Sequence, residues 1–205
     1  MDSRMETTIA GVTWKNPVTT ASGTFGSGRE YGELIDLNRL GAITVKGVSE
    51  EAWKGNPVPR LAETQSGLLN SIGLQNAGAE QFIENDIPFL RQYDTKIIVN
   101  ICGHTLSQYC AVAERFADCD IDMLELNISC PNVEEGGLSF GTDPHVVERV
   151  VKAVHHYAKQ PLIVKLSPEV TNITEVAIAA VSGGADALSL INTLRGMKID
   201  IHKRK

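Results

Sequence analysis

Residues 124–132 read LELNISCPN and place a thiol where an apolar run ends. Leu124, Leu126 and Ile128 favour a β-strand; Ser129, Cys130 and Pro131 stop it, and Asn127 and Asn132 stand on either side of the cysteine. A thiol acts as a base or nucleophile through its thiolate, whose ordinary pKa is about 8.5. A primary amide offers a donor and an acceptor without burying a charge. Cys130 therefore has the surroundings of a reacting group, whereas Cys110 and Cys119 lie in or beside a helical pattern and read as small core residues. Lys165 is a second candidate. It sits between Val164 and Leu166 in an apolar run, and a lysine so placed could form a Schiff base with a carbonyl substrate. Blander readings stand beside these. Cys130 could be an inert buried thiol, a strand-end lysine could be a solvated terminus, and Asn70 and Asn76 could be turn residues beside Gly73 and Gly78. Gly136 and Gly137 could make a plain turn, but the loop 131–142 reads as a mobile lid carrying Cys130, since two glycines permit hinge motion and a substrate must enter. His155 and His156 read as a solvated helix face, and no metal site is expected.

These residues need elements to position them. Apolar runs at 18–21, 42–46, 97–101, 123–128, 162–166 and 187–191 lack polar alternation, as strands buried on both faces do. Helical patterns lie between them. Thr105 to Gln108 has the form of a capping box and opens a helix with Leu106, Tyr109, Cys110, Ala113 and Phe116 on one face. Asp143-Pro144 starts a second, carrying Val147, Val150, Val151 and Val154. Asn172 starts a third, stopped by Gly183-Gly184. Strand–helix alternation of this kind means a parallel sheet with right-handed crossovers.

Ser22, Lys46, Asn100, Asn127, Lys165 and Asn192 recur at the C-terminal ends of the successive strands. In a (β/α)8 barrel those ends converge on one mouth, which holds the active site. No G-x-G-x-x-G follows the first strand, which argues against a dinucleotide-binding sheet. The fold expected is α/β, a TIM barrel of which about six β/α units are present. The chain reads as a single domain over 1–205, incomplete at its C-terminus, because a barrel has eight strands and a typical length of about 250 residues. The stretch 197–205 reads as a charged, hairpin-like end.

Composition narrows the function classes. The chain has 205 residues, 42% hydrophobic and 21% charged, with a net charge of -6 and a pI near 5.4. No basic face suggests nucleic-acid binding. Asp2, Arg4 and Glu6 interrupt any signal-peptide-like start, and no run approaches the roughly 18 apolar residues of a membrane helix. The four cysteines match neither a zinc pattern nor a disulfide framework, so a reducing cytoplasm is expected.

Several motifs, in order along the chain, resemble one family. NPVTTASGTF at 16–25, TVKGV at 44–48, GNPVPR at 55–60, NSIGLQN at 70–76, LNISCPN at 126–132, VKLSP at 164–168 and INTLRG at 191–196 are similar to dihydroorotate dehydrogenases. The likeness runs from about Ile9 to the end and is nearest to class 1B, the NAD-dependent type. The resemblance implies oxidation of (S)-dihydroorotate to orotate in de novo pyrimidine biosynthesis. Cys130 would be the base that removes the C5 proton, and the C6 hydride would go to FMN. FMN contacts would come from Ser22, Lys46, Gly47, Asn100, Asn127, Lys165 and Ile191. Substrate contacts would come from Lys46, Asn70, Ser71, Ile72, Gly73, Leu74, Asn127, Asn132, Asn192 and Thr193. Electrons would pass to NAD through a partner subunit carrying FAD and a 2Fe-2S cluster, with a homodimer inside a heterotetramer. The loops after strands seven and eight, which hold the family's FMN phosphate, are absent here. Two other readings remain at this stage: a Schiff-base barrel lyase using Lys165, and an inactive, association-prone piece with exposed sheet edges.

Overall fold

The computed structural model describes residues 3–129, 140–199 and 201–202. In chain order the strands are β1 (Thr7–Ile9), β2 (Val12–Trp14), β3 (Ala42–Thr44), β4 (Leu61–Thr64), β5 (Gly67–Asn70), β6 (Lys96–Ile101), β7 (Met123–Asn127), β8 (Leu162–Lys165) and β9 (Ala187–Ser189). The helices are α1 (Arg29–Gly32), α2 (Ala79–Gln81), α3 (Ile87–Leu90), α4 (Leu106–Phe116), α5 (Pro144–Tyr157) and α6 (Ile173–Ser182); a π turn at Phe82–Asp86 joins α2 to α3. Five strands form one parallel sheet in the order β3-β6-β7-β8-β9. Adjacent order with helical crossovers is the open arc of a (β/α)8 barrel.

The run 18–21 lies in the place of a further strand but makes only one bridge, Thr19 to Ala42. The amides of Gly41 and Ala42 both donate to the Val18 carbonyl. The Thr20 hydroxyl then accepts from the Thr44 amide (3.0 Å) and donates to the Thr44 carbonyl (3.1 Å), replacing the backbone ladder with a side chain. The sheet therefore has five strands where six were expected. Residues 190–199 form no hairpin.

Strand alternation sorts the side chains into two interiors. Ile43, Val99, Leu124, Leu126, Leu162 and Val164 face the helices, where they meet Tyr109, Phe116 and the Val147, Val150, Val151 and Val154 stripe of α5. Ala42, Ile98, Met123 and Ile163 face the other way and meet Trp14. The β1–β2 hairpin thus closes the floor of the arc. Its two-residue turn, Ala10-Gly11, has φ of 49° and 79°, the positive pair that a tight I′ hairpin requires. Nothing in the run before the first expected strand signals this plug, because Ala-Gly lacks the Asn-Gly or Asp-Gly signature.

The three caps hold. Thr105 Oγ1 accepts from the Gln108 amide, while Gln108 Oε1 reaches one residue further back, to the His104 amide (2.8 Å). Asp143 caps the amides of His145 and Val146, and Asn172 caps that of Thr174. Within α4, Val112 is buried and Leu106 and Cys110 are only half-buried. Among the described residues no helix is long and apolar enough to cross a membrane.

At the N-terminal end of the sheet, Asp122 accepts from the Ile97 amide (2.9 Å) and pairs with Arg91 (2.9 Å) and Lys96 (3.1 Å). Burial pushes its carboxyl up, but these three partners outweigh it and hold the group below the usual 3.8. A depressed carboxylate stabilises the fold above its unfolded pKa, and that contribution is lost as pH falls through the folded value. Asp122→Asn should therefore cost about 1–3 kcal/mol near neutral pH. The difference from the parent chain should shrink steadily below pH 3.8 in acid-unfolding curves followed by circular dichroism. A difference that stays constant across that range would show that Asp122 acts by packing alone.

Candidate active site

A cavity of about 570 Å³ opens at the C-terminal ends of the sheet strands, roofed by the β4–β5 hairpin and the segment after β9. That volume lies within the usual range for small-molecule sites, roughly 300–1,000 Å³. Ser22, Lys46, Gly47, Asn100, Asn127 and Lys165 line it from the strand ends. Asn70, Ser71, Ile72, Gly73 and Leu74 line it from the hairpin side, and Asn192 and Thr193 from beyond β9. Residues that looked scattered in the sequence are thus brought to one wall-to-wall site. Ile191 is 42% exposed and does not line the cavity. Cys130 and Asn132 lie outside the described residues, as does most of the 131–142 loop. Ser129, the residue before Cys130, lines the cavity.

The more buried of the two lysines on the cavity is Lys165, only 8% exposed, whose ammonium donates to the Ser22 hydroxyl at 3.2 Å. Lys46 is half-buried nearby. Burial lowers its pKa most; the Cys102 thiol opposes this, and repulsion from the Lys165 ammonium adds to the lowering. Two ammonium groups on one cavity favour a ligand that brings negative charge.

Asn100 is fully buried and donates its Nδ2 to Glu125 Oε1 at 2.6 Å. Its Oδ1 is buried with no hydrogen-bond partner among the described residues. A Cβ on Gly47 would stand 2.9 Å from that oxygen and 3.5 Å from Cys102 Sγ, so any larger residue would crowd the acceptor. Asn127 is held twice. The buried Tyr109 hydroxyl donates to its carbonyl (2.5 Å), and its Oδ1 accepts from Asn192 Nδ2 (2.9 Å) and from the Ser129 amide (3.2 Å). Asn192 is anchored in turn by its amide on the Leu166 carbonyl (3.0 Å).

The hairpin-side wall has its own supports. Asn56 Nδ2 bonds Ser71 Oγ at 2.8 Å, and Arg60 reaches the Asn56 and Lys54 carbonyls and Gln75. Gly73 has φ 71°, and a Cβ there would meet the Asn56 backbone at 2.7 Å. Leu74 holds φ 52°, an uncommon conformation for a leucine. Asn76 is the structural residue of this group: its Oδ1 collects the Ser49 amide and hydroxyl and the Gly78 amide.

Sequence reasoning missed Ser129, Ser167 and the Glu169–Arg195 pair (2.7 Å) on the cavity wall, and Tyr109 and Glu125 behind it. Glu125 had a signal: it is the one charge inside the apolar run LELN. Cys110 and Cys119 are half-buried, and burial pushes both thiols up, with Glu114 and Asp118 adding to the effect. That is the behaviour of inert thiols.

The site can be compared with known proteins. A sequence model described as dihydroorotate dehydrogenase matches residues 4–205. The chain is 69% identical over 201 residues to the dihydroorotate dehydrogenase B (NAD(+)) catalytic subunit of Alkaliphilus metalliredigens, covering 98% of this chain and 67% of that protein. It is 54% identical over 198 residues to the protein of the same name from Geobacter sulfurreducens, covering 96% and 65%. The chain thus spans about two thirds of the length of these relatives. A crystal structure of DHODH in complex with ferulenol from Eimeria tenella shares the fold, with a TM-score of 0.77 at 19% identity over 96% of this chain and 61% of that one. The match over nearly the whole chain and the sheet that the motifs share place it: this chain belongs to the dihydroorotate dehydrogenase family.

Proposed function

We propose that this chain carries the flavin and substrate site of a class 1B dihydroorotate dehydrogenase, oxidising (S)-dihydroorotate to orotate in de novo pyrimidine synthesis. The observation that carries the reading is the single cavity that gathers Ser22, Lys46, Asn127, Lys165 and Asn192, each from a different family motif, together with Asn100 at the end of β6. The site residues fit FMN: Asn100 Oδ1 is a buried acceptor without a donor among the described residues, Gly47 leaves room beside it, and Lys165 is a buried lysine on the same cavity. When bound, FMN supplies the acceptor for the hydride that leaves C6 of the substrate.

The chain's own residues would divide the work. Lys165, positioned by Ser22, would balance negative charge on the ring, with Gly47 and Asn100 beside it. Asn70 to Leu74, Asn127, Asn192 and Thr193 would hold dihydroorotate, with Asn132 joining them, and Lys46 would touch both flavin and substrate. Cys130, directly after the cavity-lining Ser129, would remove the C5 proton. Ile191, though exposed, would add a flavin contact. A Schiff base on Lys165 gains no support, since its ammonium is engaged by Ser22. The relatives' shared name, catalytic subunit, supports a partner. We infer an electron-transfer subunit with FAD and a 2Fe-2S cluster that passes electrons to NAD, a homodimer within a heterotetramer, and a cytoplasmic setting. Residues 1–205 would form part of one barrel domain.

An anaerobic absorbance spectrum of the chain with FMN tests this directly. Bound flavin should appear and bleach on adding dihydroorotate. Cys130→Ala should keep the flavin and slow the bleaching by about 10²–10⁴-fold, the usual contribution of a positioned base. Bleaching at the parent rate would remove Cys130 from the mechanism.

Lys46 makes a further expectation. A lysine with a lowered folded pKa weakens the fold below that pKa, and the penalty is relieved as pH rises towards the ordinary 10.5. Lys46→Met should therefore raise the thermal midpoint of the ligand-free chain near neutral pH while weakening orotate binding. The gain should vanish as pH approaches 10.5. A lower midpoint with unchanged orotate affinity would contradict both assignments.

A further inference from the structure

We propose that Glu125 is a positioning residue that fixes which face of the Asn100 amide meets the ligand, and thereby makes the site select a ring bearing an N–H donor. Glu125 lies in the middle of β7 and is 4% exposed. It is directly paired with Asn100 in the parallel register, so both side chains point into the arc. A carboxylate only accepts hydrogen bonds. Asn100 must therefore turn its Nδ2 towards Glu125 Oε1, at 2.6 Å, and its Oδ1 away. That oxygen is buried, has no partner among the described residues, and lies against Gly47, which lines the cavity together with Asn100. An isolated asparagine could offer either end to a ligand, because flipping the amide exchanges donor and acceptor at little steric cost. With Glu125 behind it, Asn100 offers only the oxygen.

The consequence for ligand choice follows from the cost of burying an unpaired acceptor. A ligand that presents another acceptor at this point leaves two lone pairs facing each other. A ligand that presents an N–H completes the chain from the ligand N–H to Asn100 Oδ1, and from Asn100 Nδ2 to Glu125. The oxidised isoalloxazine ring has one N–H, at N3, so on the flavin reading proposed above this is the edge that Asn100 would meet. Glu125 touches no ligand; it acts only through Asn100.

Two measurements on the full chain test the proposal, with Glu125→Gln as the variant. The first needs no ligand. In an NMR spectrum of nitrogen-15-labelled chain, the Asn100 side-chain NH2 should show one downfield proton protected from exchange with water. In Glu125→Gln, whose amide can donate or accept, that signature should disappear while the backbone spectrum stays folded. An Asn100 NH2 that exchanges as fast as those of exposed asparagines in the parent chain, or that is unchanged in the variant, would overturn the proposal. The second measures binding of FMN and of 3-methyl-FMN by fluorescence quenching. The parent chain should prefer FMN by roughly ten-fold or more, and Glu125→Gln should bring the ratio close to one. Equal binding of both flavins by the parent would overturn the selection. If the parent bound neither flavin, the flavin reading would fall and the Asn100 spectrum would decide the role of Glu125 alone. Should Glu125→Gln fail to fold, the parent's NH2 exchange and flavin preference still decide it.

Discussion

A parallel strand covered on both faces has no solvent side, so every residue in it must satisfy one of two interiors. The architecture follows from how this chain meets that constraint. On the helix side the answer is uniform: Ile43, Val99, Leu124, Leu126, Leu162 and Val164 are all apolar and all buried. On the inner side the answer changes along the strand. Ala42, Ile98, Met123 and Ile163 form an apolar floor on Trp14, and one step further along the same face stand Thr44, Asn100, Glu125 and Lys165, with Asn127 one step beyond Glu125. The polar layer is possible only because the strands end there and a cavity begins. The floor below keeps water from entering from the other end, so charges in the layer must find partners inside the protein or in a ligand.

Lys165 and Lys46 show how far internal partners go. Lys165 finds one hydroxyl, Ser22, from the segment that takes the place of the first strand. Lys46 has burial and the neighbouring Lys165 working against its charge. The opposite end of the sheet is different, since Arg91 and Lys96 meet Asp122 at close to 3 Å. Arg91 and Lys96 at the floor are matched by a protein carboxylate, and Arg195 on the cavity wall by Glu169, whereas Lys46 and Lys165 at the mouth meet no carboxylate among the described residues. This asymmetry, with stability at one end and binding at the other, is the usual division of labour in barrels of this kind.

The central strands were legible because the constraint writes itself into sequence as apolar runs ending in a polar residue, broken only by Glu125. Ile97 to Asn100, Leu124 to Asn127 and Leu162 to Lys165 read correctly for that reason, as did the helix caps Thr105, Asp143 and Asn172. The segment 18–21 read as a strand because its side chains look like one, yet Thr20 makes its bonds with a hydroxyl. The two hairpins were not legible. Their strands are three or four residues long, and β4 and β5 are largely exposed, so neither alternation nor burial marks them. Among the site residues, those that end strands could be found by position. Asn70 to Leu74 came only from the family's motif, and Tyr109 looked like an ordinary core residue, since a buried hydroxyl aimed at the Asn127 carbonyl has no sequence signature.

The amides at the mouth gain their meaning from what stands behind them. Asn100 and Asn127 are the same residue type on neighbouring strands, yet their neighbours assign them opposite roles. Glu125 takes the NH2 of Asn100 and leaves the oxygen. Asn192 and the Ser129 amide take the oxygen of Asn127, which leaves its NH2 as the group with hydrogens to offer. The cavity therefore presents an acceptor and a donor side by side, fixed before any ligand arrives. A planar heterocycle with adjacent N–H and carbonyl groups matches that pattern in one orientation and clashes with it when turned over. Recognition of such a ring is thus set by Glu125, Ser129 and Asn192 as much as by the two asparagines themselves, and it requires no further charge in the cavity.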